Sequence, residues 1–187
     1  MSAMIKKNSL GLIELTSIAS GMHAADIMLK TADVELVISR TICSGKYMSI
    51  IGGDVAAVRS SVETAVDTVG FGVVDFFVIP NVHPDVFPAL SGHSNVELLQ
   101  ALGILESFSV ASLIEAADAA VKAAKVRLIE IRLAMALGGK VFCTITGEVA
   151  AVQSAVDAGA AVIQEKGLLV NKIVIPQPRQ ELLREMI

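Results

Sequence analysis

Gly11-Leu12-Ile13-Glu14 and Gly103-Ile104-Leu105-Glu106 decide the fold, because the motifs after the first stretch recur in the same order after the second. Ala24-Ala25-Asp26 with Lys30 returns as Ala116-Ala117-Asp118 with Lys122, and Val34-Glu35-Leu36 returns as Val126-Arg127-Leu128. The spacing between copies then lengthens by two residues: Gly45-Lys46 matches Gly139-Lys140, and Gly53-Asp54-Val55-Ala56-Ala57-Val58 matches Gly147-Glu148-Val149-Ala150-Ala151-Val152. Ile79-Pro80 and Ile175-Pro176 close the two copies. Agreement of this kind along most of a chain means tandem domains, and it constrains the architecture before any local propensity does.

Each copy reads alike by periodicity. In the first, residues near 10–18 predict a strand, and those near 20–32 an amphipathic helix with Ala24, Ile27, Met28 and Thr31 at helical spacing. Two β-rich runs near 34–42 and 46–52 come next, joined by the tight Cys43-Ser44-Gly45 turn. Asp54 is a cap for a helix near 55–69, and Asp75 to Pro80 is a last strand. The order βαββαβ gives an α+β fold with helices on one side of an antiparallel sheet. The stretch from Asn81 to Ala101, with Pro84, Pro88 and Gly92, reads as the linker. The domains are therefore placed at 1–95, with the linker, and 96–187.

The chain is 53% hydrophobic, 18% charged and only 4% aromatic, so its apolar content is mainly Ala, Val, Ile and Leu. An apolar surplus of this kind suggests subunits that hide surface against one another. The net charge of −4, without a run of Lys or Arg, argues against a nucleic-acid partner. Glu115, Asp118, Lys122 and Lys125 interrupt the longest Ala-rich segment, which argues against a membrane span. Glu14 likewise breaks the apolar stretch after Lys6 and Lys7 that would resemble a signal peptide. Cys43 and Cys143 lie in unlike settings and do not form a disulfide framework, so the expected compartment is the cytoplasm.

Few residues point to chemistry. Cys143, within Val141-Phe142-Cys143-Thr144-Ile145, reads as a buried small hydrophobe. His23, His83 and His93 share no metal-ligand spacing with a cysteine pair. Glu14 with Glu106, and Asp26 with Asp118, are repeated acids, and repetition fits packing or interface geometry better than one acid–base pair. No ordered nucleophile, base and acid stand out, so an enzyme is not expected. Cys43 alone reads as a plain thiol in an exposed turn, because one cysteine cannot hold a metal cluster.

The GLIEL/GILES strands, the AADxxLK/AADxxVK helices, the SGK/GGK turns, the GDVAAV/GEVAAV helix starts and the VIP endings together resemble the bacterial microcompartment shell family. The chain is similar to its tandem, trimer-forming branch, of the kind found in propanediol-utilisation compartments. The resemblance implies two ferredoxin-like domains per chain and a homotrimer that forms a flat pseudohexagonal disc. It implies packing with other shell proteins, with encapsulated redox enzymes as candidate electron partners. It places Ile42, Cys43, Ser44, Gly45 and Lys46, with Ala136, Leu137 and Gly138 from the second copy, at a central pore. Lys30 and Lys122 become contacts at the tile edge.

The resemblance also implies one 4Fe–4S cluster per trimer, held by three symmetry-related Cys43 thiolates with another ligand completing it. Lys46 would then favour the thiolate. Ser44 stands where the family's turn has proline, which loosens the turn without removing the ligand. Two alternatives stay open: a tile whose pore conducts metabolites without a cluster, and a small-molecule-binding regulator.

Overall fold

The computed structural model describes residues 8–92, 96–133 and 137–182. It divides into two compact units, Met1–Val82 and His83–Ile187. The first runs β1 (Ser9–Leu15), α1 (Ile18–Thr31), β2 (Val34–Ile42), β3 (Lys46–Gly53), α2 (Val55–Val69) and β4 (Val73–Pro80). The second runs α3 (Val86–Ser91), β5 (Ala101–Ser107), α4 (Val110–Ala123), β6 (Val126–Arg132), β7 (Val141–Gly147), α5 (Val149–Glu165) and β8 (Leu169–Pro176).

Each unit has one antiparallel sheet, in the order β2-β3-β1-β4 and β6-β7-β5-β8. The interleaved order is the ferredoxin-like arrangement, in which two βαβ crossovers each skip over a strand of the other. Matching bulges confirm the repeat: the register slips between Leu36 and Ile38 in one unit and between Leu128 and Glu130 in the other. The helix-facing side of the first sheet packs Ile13, Leu15 and Ile51 against Met28, Val58, Val62 and Ala65. Gly11 and Gly103 permit that approach, since a Cβ on either would lie 2.7 Å from two valines of the helix above it.

Side-chain caps define most helix starts. Ser17 and Ser109 accept backbone N–H groups three residues on, and Asp54 accepts from Ala56 at 2.9 Å. Asp54 thus caps its helix as expected, whereas Glu148, its counterpart, makes no side-chain cap bond. Ser17 also explains why β1 stops at Leu15 rather than near residue 18: its backbone is already committed to starting α1.

The expected linker differs most. It contains a helix, α3, and from His83 on it falls within the second compact unit. The His83 N–H donates to the Asp118 carboxylate at 2.7 Å, and Arg127 pairs with Asp85 at 2.7 Å. Pro88 and Gly92 read as linker signals, yet proline is tolerated in a first helical turn, and Gly92 takes the left-handed φ of 68° that ends a helix.

Candidate functional site

The β2–β3 hairpin pairs as far as Ile42 opposite Lys46, leaving Cys43-Ser44-Gly45 as its tip. Gly45 takes φ 77°, which a residue bearing Cβ resists, and a Cβ there would find no atom within 4 Å. Ile42 is buried, Cys43 half-buried, and Ser44 and Gly45 exposed. The tip therefore presents a half-buried thiol two residues before a glycine whose Cβ position is open, on a hairpin anchored from below.

Sequence spacing does not show that anchor. Lys46, expected to balance a thiolate, is paired with Glu14, whose side chain is 4% exposed. Glu14 lies opposite Met48, so Lys46, two residues away on β3, is its diagonal neighbour on the same face. Lys140 and Glu106 repeat the pair at 2.7 Å, with 43% and 26% of their side chains exposed. The repeated acids thus hold the lysines of the SGK and GGK turns. The signal available was their joint recurrence in both copies.

The second hairpin has a different end. Its ladder stops at Arg132 opposite Phe142, so a longer loop separates β6 from β7. Leu137 is half-buried, Gly138 is exposed with φ 63°, and Ala136 lies outside the described residues. The turns of the two units are thus unequal, and of the described residues in them only Cys43 is a cysteine.

Lys30 and Lys122 sit in the last turns of α1 and α4, where a cation opposes the helix dipole. Lys30 pairs with Asp26 at 2.6 Å and is 74% exposed. Lys122 pairs with Asp118 at 2.5 Å and is 41% exposed. Each is on a helix rather than on a hairpin turn.

Among the described residues, no three of His, Cys, Asp and Glu gather as a metal site within the chain. Cys143 is buried in β7, and burial pushes its thiol up to about 12, with a smaller rise from the Glu130 charge and a backbone bond to Leu105 opposing. It therefore stays protonated at neutral pH, as an apolar core cysteine does. In protein freed of iron and sulfide, a thiol-alkylating reagent at pH 8 is expected to modify one cysteine per folded chain quickly, at Cys43, and Cys143 only after denaturation. Peptide mass mapping reads the two sites, and equal labelling would contradict the buried position.

Among the described residues no helix is long and apolar enough to cross a membrane. Comparison with known proteins places both units. The BMC domain matches residues 9–82 and again 101–178. The chain is 46% identical over 179 residues to the bacterial microcompartment shell protein PduT of Citrobacter freundii, covering 96% of this chain and 97% of that protein. It is 44% identical over 84 residues to the shell protein EutM of Salmonella typhimurium, covering 45% of this chain and 85% of that protein. A crystal structure of a microcompartment protein from Desulfitobacterium hafniense DCB superposes with a TM-score of 0.90 at 51% identity, covering 94% of this chain and 98% of that one. With both sheets, both helix pairs and most of its length matched, the chain belongs to the BMC (bacterial microcompartment) domain family and carries that domain twice.

Proposed function

We propose that the protein is a structural shell subunit of a bacterial microcompartment, a homotrimeric tile in which six domains ring a central pore and three Cys43 thiolates hold one 4Fe–4S cluster. The observation that carries the ring is a difference in exposure between like surfaces. On the open side of the first sheet, Leu12 is 0% and Phe77 9% exposed, whereas in the second sheet Ile173, the counterpart of Phe77, is 47% exposed. An apolar face of this kind on a water-soluble tile is a place for another subunit. A heterologous contact repeated between copies closes into a ring when its rotation divides a full turn.

The donor chemistry of the hairpin tip fits the cluster. One chain supplies one accessible thiol, too few for a cluster, and a threefold axis multiplies it to three. The cluster, when bound, supplies one-electron transfer. The chain's residues hold and position: Cys43 supplies the thiolate, Gly45 lets the tip turn without a side chain in the way, and Lys46 on Glu14 fixes the base of the hairpin. Lys30 and Lys122 are contacts to neighbouring tiles, and other shell proteins and encapsulated redox enzymes are the expected partners. An enzymatic role is not part of this reading, in keeping with the shell proteins that the chain resembles.

A pore that conducts metabolites without a cluster is the second reading, favoured by the small exposed residues Ser44 and Gly45, which put a hydroxyl and bare backbone where a solute would pass. Solute flux through reconstituted tiles, with and without Cys43, separates the two. Electron microscopy of concentrated protein tests the tile itself. Flat hexagonal arrays are expected. A protein that forms no arrays and instead shows a ligand-dependent rise in melting temperature would identify a regulator.

A further inference from the structure

The two copies of the domain make the same helix surface once buried and once exposed, and the difference identifies how one chain meets the next. On α4, Val110, Ile114 and Val121 are 3%, 0% and 6% exposed. Their counterparts on α1, Ile18, Met22 and Leu29, are 42%, 56% and 42% exposed. These positions fall on one face of a helix. An acid marks the same face. Asp118 is buried, pairs with Lys122 and accepts the backbone N–H of His83 at 2.7 Å. Asp26, half of whose side chain is in solvent, has Lys30 as its polar partner among the described residues.

The group that reaches Asp118 also has a repeat. The chain leaves β4 through Ile79-Pro80 and kinks at Asn81, with φ 51°. It leaves β8 through Ile175-Pro176 and kinks at Gln177, with φ 49°. A positive φ on a residue other than glycine is uncommon, and its occurrence at both equivalent places sends the backbone on in the same way. His83 comes two residues after the first kink, and Arg179 two residues after the second. Within one chain, His83 has its aspartate on α4; by the repeat, the aspartate equivalent for Arg179 is Asp26 on α1.

We infer that the segment after β8 of one copy docks on α1 of the next, with the Arg179 N–H received by Asp26 and the Ile18, Met22, Leu29 face covered by that neighbour. The inference rests on the trimer reading and gives it a residue-level junction. Charge favours the match, since Arg179 brings a cation toward an exposed carboxylate. Its guanidinium at present pairs with Glu181 at 2.6 Å, on a surface where such a pair is readily exchanged. Apolar area supplies the affinity, and the acid fixes the register.

The test uses Asp26→Cys with Arg179→Cys in a Cys43→Ser background, treated with a short bismaleimide, which adds one thiol at each end, and run on a denaturing gel. Covalent dimers and trimers are expected. The internal counterpart, Asp118→Cys with His83→Cys, is expected to remain at single-chain mass. Sedimentation of the untreated proteins separates the two ways of failing. If the double variant sediments as a trimer and yet yields only single chains after crosslinking, the junction is wrong and the ring stands. If the wild type sediments as a monomer at high concentration, the ring itself is wrong. A double variant that is monomeric beside a trimeric wild type also places these residues at the junction. Met22→Glu provides a check that does not disturb the core, because Met22 is exposed. It is expected to raise the concentration needed for trimer formation at least tenfold, and an unchanged threshold would overturn the covered face.

Discussion

Cys43→Ser is expected to reduce iron and acid-labile sulfide from about one cluster per trimer to background, and to abolish the brown colour of anaerobically purified protein, while sedimentation remains unchanged. The size of the effect comes from symmetry. One substitution in the gene removes all three thiolates, and serine replaces a soft sulfur ligand with a hydroxyl, a far weaker ligand for an iron–sulfur cluster. The fold should tolerate the change, because Cys43 is at a hairpin tip and outside the apolar cluster of its sheet. Colourless wild-type protein, or iron that persists in the variant, would remove the cluster from the proposal and leave the tile.

Lys46→Met is expected to cost about 3–5 kcal/mol of folding stability, the usual penalty for leaving one partner of a buried ion pair uncompensated. Glu14 is 4% exposed and its strand is a central one of the sheet, so water does not readily reach the orphaned carboxylate. The same change at Lys140 is expected to cost about 0–1 kcal/mol, as for a surface pair, because both Lys140 and Glu106 retain access to solvent. Urea unfolding of the two variants, at one protein concentration, reads the difference. Equal losses would show that the pair in the first unit is no more buried than its repeat.

Much of the fold is legible in the sequence because duplication checks itself. A strand, helix or turn assigned in one copy has to serve in the other, and Gly11 with Gly103, Asp26 with Asp118 and the two Ile-Pro endings agree on the same βαββαβ unit. Features outside the repeat are harder to read. Helix α3 is six residues long and contains a proline, so local signals favour a linker. The Lys46–Glu14 pair joins residues on two strands and depends on their register, which sequence spacing does not reveal. Proximity in sequence therefore points Lys46 at the nearby cysteine rather than at the acid across the sheet. Opposite exposure of α1 and α4 is likewise invisible, since their apolar spacing is the same and only the folded chain distinguishes them. Cys43 is legible as a residue, and its proposed chemistry depends on neighbours supplied by other copies.

Native mass spectrometry of the anaerobically purified wild-type chain tests the central claim most directly, because it counts chains and metal in one particle. A single dominant species of three chains with the added mass of one 4Fe–4S cluster is predicted. A dominant monomer, or a different number of chains with or without iron, would contradict it.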